Sequence, residues 1–178
     1  MGLRKASAYS RKKVTPYTRK SSKRKKAYIK TVPPIKIVKY NMGDKKSQLA
    51  GKHDYVVKLV ADEKALMRDN SLESCRMTIN KSLDNEIPGS FYFTIKVYPH
   101  HILRENKTAA GAGADRLSSG MKHSFGVTMG RAAILTKGKE IFVITCTNEK
   151  AAQAVKKALI KVKPKVPFRN KIVFQKVR

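Results

Sequence analysis

The sequence predicts an α+β fold: a mostly antiparallel sheet with two helices packed on one face, a long internal loop and a basic N-terminal extension. Apolar patterns follow the order β, β, α, β, loop, β, β, α, β, and no apolar period is visible between residues 103 and 119. We expect a basic extension, residues 1–34, and one domain, residues 35–178, with the loop at about 102–120.

The charge distribution limits the class of partner. Lys and Arg total 40 against 12 Asp and Glu, a net charge of +28, and so positive a surface attracts polyanions. Residues 1–40 contain 14 basic groups and residues 151–178 contain nine, with no acidic group in either range. The excess charge therefore lies at the two ends of an otherwise ordinary domain. No apolar run reaches the eighteen or so residues of a membrane span, so we expect no membrane partner.

The extension has few large apolar side chains and many Lys, Arg and Ser residues, with Tyr9, Tyr17 and Tyr28 between them. Such a segment does not bury enough apolar area to offset its ordering entropy. We expect it to order on a polyanion, with cations on phosphates and tyrosines stacked on exposed bases.

Three stretches in the first half have strand patterns: 35–40, 55–61 and 91–98. Residues 41–44 predict a turn. Asn70 followed by Glu73 resembles a capping box and predicts a helix start, and Leu72, Cys75, Ile79 and Leu83 then mark one apolar face.

In the second half, residues 131–136 and 140–147 predict two strands joined at Lys137-Gly138-Lys139, a hairpin signal. Asn148 predicts the cap of a second helix, residues 149–162, that ends before Pro164. Residues 171–177 alternate as a last strand.

The stretch from Pro99 to Gly130 holds five of the ten glycines and several basic groups. Its small residues at 109–114 would allow close approach to a partner. Folded back as a hairpin, it would reach about 30 Å from the body. We interpret it as a probe carried by the domain.

Enzymatic and metal-binding patterns are weak. Gly111-Ala112-Gly113 lacks the third glycine and the preceding strand of a dinucleotide loop. His100 and His101 are adjacent and face opposite ways in extended chain. Cys75 and Cys146 are isolated and predict buried hydrophobes. We therefore predict no catalytic residues, no metal and no cofactor.

The loop region closely resembles the signature of a universal large-subunit ribosomal protein family at Ala114-Asp115-Arg116, Gly120-Met121-Lys122, Ser124-Phe125-Gly126, Gly130 and Ala133. The family is called L-ten-e in archaea and eukaryotes and L-sixteen in bacteria. Residues 97–107, 17–19, 42–43 and 72–83 are similar to its archaeal version. The sequence departs from the family pattern at Lys122, where arginine is usual, and at Val127-Thr128.

The resemblance implies a structural constituent of the large ribosomal subunit, not an enzyme, in ribosomes of the cytoplasm. It implies binding to large-subunit rRNA below the central protuberance, with the loop reaching toward the peptidyl-transferase region and bound tRNA. Expected partners are rRNA, tRNA and neighbouring ribosomal proteins, with 5S rRNA as a further candidate and no homo-oligomer. The alternative is a free-standing basic nucleic-acid-binding protein.

If the chain binds rRNA and tRNA in this way, the residue types indicate which positions make the contacts. Phosphate contacts from the extension are expected at Arg4, Lys5, Arg11, Lys12, Arg19, Arg24 and Lys25. Anchoring of the body to rRNA near the base of the loop is expected at Arg68, Lys122, His123 and Arg131. The tRNA-facing loop is expected to use Arg104, Lys107, Gly111, Gly113 and Arg116.

Overall fold

A computed structural model describes residues 23, 25, 29, 31–105 and 127–177. These residues form eight strands and three helices, with the bounds β1 Asn41–Gly43, α1 Lys45–Leu49, β2 Tyr55–Ala61, β3 Ala65–Arg68, α2 Asp69–Glu86, β4 Phe91–Ile95, β5 His101–Glu105, β6 Val127–Leu135, β7 Glu140–Cys146, α3 Glu149–Val162 and β8 Asn170–Lys176. A 3-10 turn, Lys163–Lys165, follows α3.

The strands form two antiparallel sheets. The large sheet has the order β1-β4-β7-β2-β8 and the small sheet the order β3-β6-β5. The α+β class and the antiparallel pairing are confirmed. The prediction of one sheet is corrected to two, because β3, β5 and β6 pair only with one another among the described strands.

The core lies between the sheets and the two long helices. In the large sheet Phe93, Ile144 and Val57 lie opposite one another across three strands, and all three are fully buried. Phe93 meets Phe142 edge to face, with ring centroids 5.7 Å apart. Helix α3 packs on β2 and β7, α2 packs on β3 and β6, and the helices pack on each other. The helices therefore join the two sheets through one core.

The start of α2 differs from the predicted capping box. The helix begins at Asp69, one residue before Asn70, and its N-cap residue Arg68 makes no side-chain capping bond. Glu73 instead accepts hydrogen bonds from the Val38 amide and the Arg76 guanidinium. The predicted helix α3 is confirmed, although Asn148 makes no side-chain capping bond.

The prediction of a strand at 35–40 is wrong. The Lys36 amide donates to Asp69 Oδ2 at 3.3 Å, and the Val38 amide donates to Glu73 Oε2 at 3.3 Å. These amides bind carboxylates of α2, so they are not available for a neighbouring strand. The edge strand β1 begins at Asn41 instead, inside the predicted turn.

Both described ends of the stretch 99–130 contain strand. His101–Glu105 forms β5 and pairs with β6, which begins at Val127, four residues before the predicted start. Residues 102–105 of the loop predicted at about 102–120 therefore lie in a strand. Residues 106–120 of that loop lie outside the described residues, as does the predicted extension apart from residues 23, 25, 29 and 31–34. The predicted hairpin at Lys137-Gly138-Lys139 is wrong. A turn closed by the Lys139 amide and the Thr136 carbonyl connects the two strands, but β6 pairs in the small sheet and β7 in the large sheet.

Candidate nucleic-acid interface

Four of the predicted site residues lie in the described part of the chain: Lys25, Arg68, Arg104 and Arg131. The others lie outside the described residues, namely Arg4, Lys5, Arg11, Lys12, Arg19, Arg24, Lys107, Gly111, Gly113, Arg116, Lys122 and His123. The geometry of the interface is therefore built from the body.

Arg131 is mostly buried, with 8% of its surface exposed. Its Nε donates a hydrogen bond to the Pro33 carbonyl at 2.7 Å. On the same strand, the Thr128 hydroxyl donates to the Thr31 carbonyl at 3.3 Å. Arg131 and Thr128 thus attach the last residues of the basic extension to β6, which is a structural contact within the protein.

Asp69 completes this attachment at the start of α2. Its side chain is buried, Oδ2 accepts from the Lys36 amide, and Oδ1 accepts from the Asn70 amide at 2.8 Å. Residues 33–38 are therefore fixed at three points: Pro33 by Arg131, Lys36 by Asp69 and Val38 by Glu73. The extension consequently enters the body beside the small sheet, next to the strands that lead into the loop.

The two outer strands of the small sheet carry further basic groups. Arg68 on β3 and His101 on β5 both lie opposite Ala132 of β6 and so share one face of the sheet. Burial and the charge of Arg104 lower the pKa of His101, so the imidazole is neutral at pH 7. Arg104 is exposed one residue before the end of β5. The small sheet therefore places positive charge at the base of the loop.

The exposed side of α3 was not named among the predicted site residues. Ala151, Val155, Ala158 and Val162 are buried against the core, so the opposite side of the helix faces solvent. That side and the turn after it carry five exposed lysines, which we call the lysine face: Lys150, Lys156, Lys157, Lys161 and Lys163. From Lys150 to Lys161 the helix rises about 16 Å.

Two acidic groups adjoin the lysine face: the exposed Glu149 in the first turn of α3, and Glu86 at the end of α2. Lys161 Nζ lies 3.7 Å from Glu86 Oε1, with the lysine side chain 57% exposed, a weak surface pair. The neighbouring Lys165 is used within the protein, where it donates to Thr78 Oγ1 at 2.6 Å. In the sequence, the excess of basic residues in 151–178 indicated a positive surface in this region. The helical repeat then identifies the lysines that lie opposite the buried side of α3.

The thiols of the two cysteines are not reactive at neutral pH. Burial raises the pKa of Cys75 to about 12 and that of Cys146 to about 11, so both thiols stay protonated. Both cysteines are free and buried, as predicted.

Within the described ranges there is no group of three or more His, Cys, Asp or Glu that could bind a metal ion. In the same ranges, no helix has the length and apolar character that a membrane crossing requires.

Fold and surface together define a basic α+β domain of the polyanion-binding class. The family described as "Ribosomal protein L16p/L10e" matches residues 15–173, and the chain belongs to this family. The resemblance and the prediction of a non-enzymatic protein are thereby confirmed.

Curated relatives named "Large ribosomal subunit protein uL16" match nearly the whole chain, and three of them show the range of identity. The chain is 44% identical to the protein of Methanococcus maripaludis over 99% of its own length and 96% of that protein. It is 40% identical to that of Staphylothermus marinus, covering 100% of this chain and 97% of the relative. It is 37% identical to that of Thermofilum pendens over the full length of both.

Proposed function

We propose that the protein is a structural constituent of the large ribosomal subunit that binds large-subunit rRNA in ribosomes of the cytoplasm. The lysine face carries the proposal, because its five exposed lysines on α3 and in the turn after it supply positive charges for the phosphates of an RNA backbone. The relatives are named as proteins of the large ribosomal subunit, which supports the same assembly.

The finer proposal is that the body binds rRNA below the central protuberance and that residues 106–126 reach toward the peptidyl-transferase region and bound tRNA. The antiparallel pairing of β5 with β6 supports it, since Glu105 and Val127 are register partners and both ends of the loop start side by side. Ten residues per arm would span about 30 Å. Neighbouring ribosomal proteins and 5S rRNA complete the proposed partners.

Sedimentation of a gentle lysate through a sucrose gradient tests the assembly. We expect the full chain to migrate with the large subunit and with translating ribosomes in a one-to-one ratio, and to remain there at moderate salt. Migration at the top of the gradient, or with chromosomal DNA, would contradict this proposal. It would favour the alternative of a free-standing nucleic-acid-binding protein, for which the same basic surface is suited.

Deletion of residues 107–114 separates the proposed probe from the proposed anchor. The lysine face and the contacts of Arg131 and Asp69 remain in this variant, so we expect subunit association within about twofold of the parent chain. We expect the translation rate of the isolated ribosomes to fall, because the loop no longer reaches tRNA.

Two measurements on the same preparations check the deletion: stoichiometry in the gradient and the rate of peptide synthesis. A matched variant replaces residues 107–114 by a Gly-Ser segment of equal length, which keeps the reach and removes the side chains. If association and synthesis fall together in both variants, the loop is not a separate functional unit.

A further inference from the structure

An exposed tyrosine lies on the connection between the two sheets. Tyr98 is 51% exposed, whereas its neighbours Val97 and Pro99 are buried. Because alternate residues of an extended segment point to opposite sides, burial of these neighbours directs the Tyr98 ring to solvent. About half of the Tyr98 surface is thus open to a partner.

Two further rings adjoin Tyr98. Tyr40 stacks with it, with centroids 5.9 Å apart and an interplanar angle of 25°. His100 lies on the connection as well, with its ring centroid 6.2 Å from that of Tyr98 and tilted by 39°. Tyr40 is only partly exposed and its hydroxyl is buried. Tyr98 is therefore supported by one ring, flanked by another and still half open to solvent.

The surroundings of these rings are positively charged. Lys39 and Lys96 are both exposed. Lys39 is next to Tyr40 in the sequence, and Lys96 lies two residues before Tyr98. Burial and the neighbouring Tyr98 raise the pKa of Tyr40, while the charge of Arg131 acts in the opposite sense. Asp69 is the acidic group that also acts on Tyr40, and it is buried with both carboxylate oxygens hydrogen-bonded to backbone amides.

We propose that Tyr98, supported by Tyr40 and flanked by His100, is a stacking site for an unpaired nucleobase of RNA. The inference rests on the proposed function and adds the chemical group that is recognised. Aromatic rings stack on any base, and nearby lysines bind the adjoining phosphates. In a duplex the bases already stack on one another, so the site selects single-stranded nucleotides at loops or bulges.

The chain contains no tryptophan, so Tyr98→Trp places a single fluorescent reporter at the site and keeps an aromatic ring there. We expect single-stranded 12-nucleotide oligoadenylate to quench this fluorescence strongly and a 12-base-pair RNA duplex to quench it little. The control is Ile160→Trp, since Ile160 is 50% exposed and lies among the lysines of α3. We expect its response to be similar for both RNAs. Equal quenching of Tyr98→Trp by both RNAs would overturn the proposal.

Affinity gives an independent measurement on the full chain. Relative to the parent, Tyr98→Leu should bind oligoadenylate about 5- to 150-fold more weakly, with an unchanged salt slope because no phosphate contact is lost. Tyr98→Phe should bind within about twofold of the parent. Thermal unfolding checks that the variants are folded.

The binding measurements distinguish a failure of the proposed function from a failure of the Tyr98 stacking site. A parent chain that binds neither oligoadenylate nor large-subunit rRNA contradicts the proposed function. A parent that binds both, with Tyr98→Leu binding equally well, contradicts the stacking site alone.

Discussion

Replacement of all five lysines of the lysine face by glutamine is expected to lower the affinity of the full chain for large-subunit rRNA on the order of 10³-fold at 0.15 M salt. Each lysine–phosphate contact releases a counterion, so it contributes about 0.6–0.7 log units at this salt concentration. Glutamine keeps the length and much of the helix propensity of lysine. The loss should therefore be one of charge, with α3 intact.

The salt dependence identifies the origin of the loss. We expect the slope of log K against log salt to decrease in magnitude by about 3.5–4.5 for five lost contacts, as measured by fluorescence anisotropy between about 50 and 400 mM salt. A matched control replaces five exposed lysines that lie elsewhere on the body: Lys45, Lys46, Lys52, Lys64 and Lys137. An equal change of slope in the control would show that net charge, and not the face of α3, determines binding.

The elements predicted correctly are those with a local and repeated pattern. The four apolar positions of α2, Leu72, Cys75, Ile79 and Leu83, are all fully buried. The alternation that starts at Phe91 produced β4, with buried and partly buried residues in strict succession. In both cases the spacing of the apolar residues matches the repeat of the element, so these residues all lie on the face that the core covers.

The errors arise where the partner is distant in sequence. Residues 35–40 alternate like a strand, but carboxylates 33 and 35 residues further along the chain bind their amides. Strand β5 has no pattern of its own over five residues, and it is fixed by pairing with β6 across the intervening loop. No local window contains either interaction.

Local sequence patterns also fail to predict which basic residues of the candidate interface are exposed. Composition indicated the right kind of partner, yet Arg131 proved to be a contact within the body. Its strand alternates so that Arg131, Ala133 and Leu135 share one side, and Ala133 and Leu135 belong to the core. The exposure of a basic residue depends on register, which charge counts do not contain. The lysines of α3 were predictable once the buried stripe of that helix was assigned.

The largest effect on stability is expected at Gly43, the last residue of β1. Its φ is +88°, and a Cβ added there would lie 2.3 Å from the backbone oxygen of Phe91. That oxygen also accepts the Asp44 amide at 2.9 Å. Alanine at this position would be strained in its own backbone and would push the edge strand β1 away from β4. We expect Gly43→Ala to lower the free energy of unfolding by about 3 kcal/mol or more.

Gly89→Ala is the matched control, because Gly89 also has a positive φ, +71°, but a Cβ there has no atom within 4 Å. This variant carries the backbone strain without the clash, and we expect a loss of about 1 kcal/mol. Urea unfolding followed by circular dichroism measures both variants, so their difference isolates the contact between β1 and β4. If the two losses agree within about 0.5 kcal/mol, β1 can move from the Phe91 carbonyl at little cost, and the edge of the large sheet is not fixed at Gly43.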